Sequence, residues 1–239
     1  MTWNLHKFAT SATLVTELAD RLCSDLQQDI AARGAAGLIV SGGSTPVPLF
    51  ETLSSRDLDW SRVQITLADE RWVDDDDPDS NAALVARHLL QNRAAASHYI
   101  DLYNGMDSPF SAESAIDQRL AEFPWPASAV ILGMGSDGHT ASLFPGSSQL
   151  QQALIGTQAE NSAINSRCCA VQPLTVPQQR MTLTWPALMD TRALYLHIQG
   201  YKKKQVLEQA MQLGAIDEYP IRAFLHQKKQ AIEIYLTED

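Results

Sequence analysis

The sequence predicts an α/β protein whose mostly parallel sheet is covered by helices on both faces. Two observations carry this expectation. Short apolar runs, at 37–41, 128–132 and 193–198 among others, alternate along the chain with segments of helical periodicity. Several of these runs end in glycine-rich turns that lead straight into a helix start, as strand-to-helix junctions do in such folds. No linker of shifted composition and no internal repeat interrupts the alternation, so one domain over residues 1–239 is expected.

Residues 4–8 read as a short first strand. From Ser11, the apolar positions Leu14, Val15, Leu18, Ala19, Leu22, Leu26 and Ile30 recur at helical spacing; Thr10 or Ser11 can cap the start and Gly34 the end. A buried strand at 37–41 runs into Gly42-Gly43-Ser44-Thr45-Pro46, with Pro46 suited to the first turn of the next helix. Residues 63–68 form another strand, whose exit is Asp69-Glu70-Arg71-Trp72-Val73, followed by an acidic run at 74–79. Ser80-Asn81 can cap a helix carrying Leu84, Val85, Leu89 and Leu90. The segment 97–109 carries no clear pattern. Residues 110–122 are helical before Pro124 and Pro126, and 128–132 is a strand feeding a glycine-rich stretch at 133–146. Beyond it come a short helix at 148–154, a polar loop at 156–166 and strands at 168–172 and 180–184. A strand at 193–198, a helix from Gly200 through Leu213 and a last alternating strand at 231–236 complete the chain.

Composition removes several classes of function. The 239 residues carry a formal net charge of −10, which opposes a nucleic-acid surface and an anionic membrane. An anionic substrate would need local basic contacts. No apolar run approaches the length of a membrane helix, and the N-terminus lacks the apolar region of a secretory signal. Cys23, Cys168 and Cys169 have no metal or redox spacing, and so sparse a count fits a reducing cytoplasm. No metal site is expected, since no His/Cys cluster has zinc spacing and the aspartates at 74–77 lack the spaced ligands of a calcium loop.

The stretch 133–146 reads Gly-Met-Gly-Ser-Asp-Gly-His-Thr-Ala-Ser-Leu-Phe-Pro-Gly. Its glycines let the backbone turn sharply and approach a ligand. A lone histidine is more often structural, but His139 lies on a strand exit two residues from Asp137. That spacing suits a base whose tautomer is fixed by a carboxylate, the pairing that activates water or a nucleophile. Ser136 sits in no Gly-x-Ser-x-Gly elbow, which leaves a serine esterase poorly supported.

The Gly42, Gly43, Ser44, Thr45 turn precedes a helix start, where free N–H groups and the helix dipole favour anions. It is neither of the glycine-rich nucleotide motifs, and a tight turn with a cap is the plain alternative. Asp69 and Arg71 lie at another strand exit, and arginine's planar fork suits phosphate or carboxylate oxygens. A surface ion pair is the alternative there. Arg180 and Lys203 are two later basic groups able to close a phosphate pocket.

Taken together, these segments resemble the 6-phosphogluconolactonase family: 41–46, 69–73 with Ser80-Asn81, all of 133–146, 180–184, and Gly200-x-x-Lys203, in the family's order. The resemblance implies a Rossmann-like domain that hydrolyses 6-phosphogluconolactone to 6-phosphogluconate without a cofactor, in the oxidative pentose phosphate pathway. It implies that His139 is the catalytic histidine and Asp137 its neighbouring acid. Gly42, Gly43, Ser44, Thr45, Asp69, Arg71, Arg180 and Lys203 would then surround the sugar phosphate. The expected partner is a small-molecule sugar-phosphate lactone, bound by a cytoplasmic monomer. The related glucosamine-6-phosphate deaminases share the Asp-Gly-His, but follow it with Ile-Ala-Phe-Asn-Glu-Pro. Here Phe144 stands where their proton-transferring glutamate would be. A non-catalytic sugar-phosphate binding protein is the alternative of a different class; Ser136 and Asp74 are small departures from the lactonase pattern.

Overall fold

The computed structural model describes residues 3–155 and 166–239 of the chain. Strand β1 (Trp3–Phe8) leads into α1 (Ser11–Arg33), whose predicted stripe is its buried face: Leu14, Leu18, Leu22 and Leu26 are fully enclosed. Each such leucine contributes about 1.5–3 kcal/mol of burial. Thr10 caps the helix by accepting from the Thr13 N–H, and Gly34 ends it in the left-handed conformation its φ of 80° requires.

The chain continues through β2 (Ala36–Val40), α2 (Val47–Ser54), β3 (Val63–Leu67), β4 (Asp69–Arg71), α3 (Asn81–His88) and β5 (His98–Ile100). Then come α4 (Pro109–Leu120), β6 (Ala129–Leu132), α5 (Leu150–Ile155), β7 (Cys168–Val171) and β8 (Arg180–Leu183). Last are α6 (Trp185–Leu188), β9 (Leu194–Gln199), α7 (Tyr201–Ala210), α8 (Arg222–Leu225) and β10 (Ile232–Thr237). The polar loop expected at 156–166 falls, but for its last residue, outside the described residues.

Seven strands form one sheet in the order β1-β10-β9-β6-β2-β3-β5, and every neighbouring pair is parallel. Strands β2 and β6 are buried along their whole length and β9 in all but its last residue, as a sheet covered on both faces demands. From β2 the chain winds outward through β3 to β5; from β6 it winds the other way through β9 to β10. Right-handed crossovers therefore place the helices of the two halves on opposite faces. The order reverses between β2 and β6, and a crevice opens there beyond the strands' carboxyl ends.

Five elements depart from the sequence reading. The strands expected at 168–172 and 180–184 leave the main sheet and pair antiparallel with each other and with β4, in the order β4-β8-β7. Only the short segment 172–179 joins β7 to β8, too little chain for the crossover a parallel pair needs. The exit at 69–73 is thus itself a strand over its first three residues. The unassigned segment 97–109 contains β5 at the sheet edge, and α7 stops at Ala210 rather than Leu213.

Candidate active site

Residues after β2 and after β6 wall a cavity of about 290 Å³ at the switch point. The two loops are tied together by Ser41, whose hydroxyl donates to the Ile131 carbonyl at 3.1 Å and accepts from the Gly133 N–H at 3.3 Å. Of the predicted residues, Gly42, Gly43, Ser44, Thr45, Asp69, Arg71, His139, Arg180 and Lys203 all line this cavity. Asp137 stands behind the wall, in contact with His139.

Asp137 Oδ1 lies 2.5 Å from His139 Nδ1 and also accepts the His139 backbone N–H at 3.1 Å. Partial burial pushes the Asp137 carboxyl up, but the ring hydrogen bond and charge of His139 outweigh it and hold the group below the usual carboxylate range. An ionised Asp137 accepts from Nδ1–H and so leaves Nε2 with its lone pair, free to take a proton. The loop folds this way because of glycine. A Cβ on Gly135 would sit 2.3 Å from His139 Nδ1 and 2.7 Å from Asp137 Oδ1. Gly138 adopts a φ of 77° and passes its carbonyl to the Ile221 N–H at 3.0 Å. Phe144 backs the imidazole with ring centroids 4.4 Å apart.

Basic side chains line the same cavity. Arg71 donates to the Asp79 carbonyl at 2.8 Å and to Asn81 Oδ1 at 2.7 Å, and has no carboxylate partner among the described residues. The surface ion pair is therefore not what holds it. In the small sheet Arg71 faces Arg180 directly across the β4–β8 ladder. Like charges so placed repel unless an anion lies between them. Burial lowers the Arg180 guanidinium more than the Asp69 charge, 3.8 Å away, restores it. Asp69 is itself engaged by the Ser142 hydroxyl at 2.6 Å and is the one carboxylate among the described cavity-lining residues.

The 42–45 turn and Lys203 complete the anion end. Pro46 lies at the N-cap of α2 rather than inside its first turn, and no side chain caps that helix. Its amino end is left for a ligand. Asn81 packs so tightly on the turn that a Cβ at Gly42 would meet Asn81 Oδ1 at 1.8 Å. Lys203, in the first turn of α7, reaches Thr45 Oγ1 at 3.4 Å, and burial holds its ammonium below the ordinary lysine value.

Asn81 and His197 are lining residues, and Glu70 a scaffold, to which the sequence reading gives no site role. Asn81 was expected only near a cap, yet its amide bridges Arg71 and the Asp69 carbonyl. His197, in β9, lines the cavity as well. A titratable residue inside an apolar strand, six positions before Lys203, was the available signal. Glu70 is buried, accepting from the Arg71, Asn81 and Ala82 N–H groups at 2.6–2.8 Å, and so holds β4 against the start of α3.

An all-parallel sheet with a basic cavity and a His–Asp pair at its switch point defines a doubly wound α/β protein. The chain belongs to the family described as glucosamine-6-phosphate isomerases and 6-phosphogluconolactonases, whose model matches residues 9–233. It is 42% identical over 235 residues to a 6-phosphogluconolactonase of Rhizobium meliloti, covering 98% of this chain and 99% of that protein. A 6-phosphogluconolactonase of Pseudomonas putida is 41% identical, with 93% and 89% of the two chains covered. The crystal structure of a 6-phosphogluconolactonase from Shewanella baltica superposes with a TM-score of 0.93 at 41% identity, over 98% of this chain and 97% of the other. Among the described residues, no helix is long and apolar enough to cross a membrane.

Proposed function

We propose that this chain hydrolyses 6-phosphogluconolactone to 6-phosphogluconate, with His139 activating the water. The observation that carries the reading is that His139, held by Asp137, lines one cavity together with three basic side chains. The phosphoryl group docks on the 42–45 turn and Lys203, which sets the lactone carbonyl before His139. Nε2 takes a proton from water as its oxygen bonds to the carbonyl carbon, and Asp137 offsets the imidazolium charge. The oxyanion meets donors on Arg71 and the glycine loops. Collapse breaks the bond to the ring oxygen, which receives the proton from His139 and leaves as a hydroxyl.

Phe144 supports hydrolysis over amino-sugar deamination. Its ring is buried against His139 at the position of the deaminase glutamate, and it transfers no proton. Asp69, the carboxylate that does line the cavity, is held by Ser142 and faces Arg180.

A coupled assay with freshly prepared lactone, corrected for spontaneous hydrolysis, tests the reading. His139→Ala is expected to lower kcat by about 10²–10⁴-fold, the usual range for a general base, with 6-phosphogluconate affinity nearly kept. Equal turnover in the variant would refute the mechanism. A wild type that binds 6-phosphogluconate yet never exceeds the background would establish a non-catalytic binding protein instead.

A further inference from the structure

His197 presents a buried polar group that nothing in the fold accounts for. It sits near the carboxyl end of β9, pairs in register with Tyr235 of β10 and is 2% exposed. Neither ring nitrogen has a hydrogen-bond partner among the described residues. Such a group costs a folded protein free energy, and an apolar side chain would fit the strand at no such cost. Leu194, Leu196 and Ile198 beside it are all apolar and fully buried. Yet His197 lines the cavity, close enough to Lys203 for the two to interact electrostatically.

We propose that His197 is a further substrate-binding residue, whose ring N–H donates to the phosphoryl group held by Lys203 and the Thr45 turn. Burial, aided by the Lys203 charge, lowers this imidazole to about 4, so it is neutral at physiological pH. A neutral ring keeps one N–H donor and brings no proton to compete for Lys203. Both nitrogens are closed to water in the free protein, so a small turn of the ring or shift of Lys203 presents the N–H as the ligand arrives, and a hydrogen bond made there to an anion retains most of its worth. Lys203 supplies charge and His197 supplies direction. The free protein carries the orphaned ring as the cost of the filled site, a trade of stability for function.

This assignment rests on the lactonase reading, and the test separates the two. His197→Leu and His197→Gln are compared with wild type in 6-phosphogluconate binding by calorimetry, in thermal unfolding, and in turnover of the lactone with and without its phosphate. His197→Leu is expected to unfold at the same temperature or higher, because an unsatisfied polar group is gone. It should bind 6-phosphogluconate about tenfold more weakly, raise KM rather than lower kcat, and leave any turnover of the unphosphorylated lactone within about twofold of wild type. His197→Gln, which restores a donor, should recover part of the affinity. Unchanged 6-phosphogluconate affinity in His197→Leu would overturn the proposal. So would a lower unfolding temperature with equal losses on both lactones, the mark of a packing role. Absence of lactone turnover in the wild type would instead count against the proposed reaction; a His197-dependent affinity for 6-phosphogluconate would then still support the contact.

Discussion

The two ends of the cavity are built on opposite principles. At the glycine-loop end the His139–Asp137 pair is already held in place: Asp137 accepts twice from His139, and the loop closes through the Gly135 N–H on the His139 carbonyl at 2.9 Å. At the anion end the groups are left wanting. Lys203 has one long contact to Thr45, and both His197 nitrogens lack a partner among the described residues. Chemistry benefits from groups fixed before substrate arrives, whereas affinity benefits from groups that only the substrate satisfies. Substitutions of His139 or Asp137 should therefore appear in kcat, and those of Lys203 or His197 in KM.

Asp137→Asn gives the largest effect expected within this contrast. The amide loses the charge that steadies the imidazolium and can turn its NH₂ toward Nδ1, stabilising the wrong tautomer. A loss of about 10²-fold in kcat with KM little changed is expected, read by steady-state kinetics. Stability should respond to pH with a definite sign. The folded Asp137 carboxyl lies below its unfolded value, so its contribution is present above the unfolded pKa of about 3.9 and is lost as pH falls through the folded one. In urea unfolding, the advantage of wild type over Asp137→Asn should stay level above about pH 5 and vanish on acidification below 4. A large KM change in this variant would break the division between the two ends.

Lys203→Met tests the other end. Methionine keeps the length of the stem and removes the ammonium that burial has already made less favourable. About a tenfold rise in KM for the phosphorylated lactone is expected, with kcat within a few-fold, because a charge-assisted contact of this kind is worth about 1.5–3 kcal/mol. The free variant should be no less stable than wild type. A kcat loss matching that of Asp137→Asn would mean that the anion end also sets the reacting geometry.

The same contrast governs what the sequence disclosed. The glycine-loop end was legible because its parts are local: Gly135, Asp137, Gly138 and His139 meet within a single turn, and spacing alone brings them together. Helix α1 was legible for the same reason, since its stripe and caps lie within one segment. The anion end was read only as separate basic residues. Its geometry depends on β4 pairing with β8, where Asp69 meets Thr182 from far along the chain, and no local pattern sets that register. Edge strand β5, three residues long, is too short to show any period. His197 was passed over because its strand reads as uniformly buried, and burial by itself does not distinguish a packed ring from one left open for a ligand.

The smallest effect expected lies at Ala141, where the well-matched loop carries its own local strain. This residue lines the cavity with a φ of 47°, left-handed backbone that costs a non-glycine residue about 1–2 kcal/mol. Its neighbours hold it there: Thr140 donates its hydroxyl to the Gly133 carbonyl at 2.8 Å, and the Ser142 N–H donates to Thr182 Oγ1 at 3.2 Å. Glycine relieves the strain but widens the unfolded ensemble, an opposing effect of about 0.4–1 kcal/mol. Ala141→Gly should therefore raise stability by about 0–1.6 kcal/mol, read by denaturant midpoint. If the fixed loop is what serves the chemistry, kcat should fall modestly while KM holds. A variant that gained stability with kcat unchanged would place the catalytic rigidity in the Asp137–His139 pair alone, and not in the backbone that follows it.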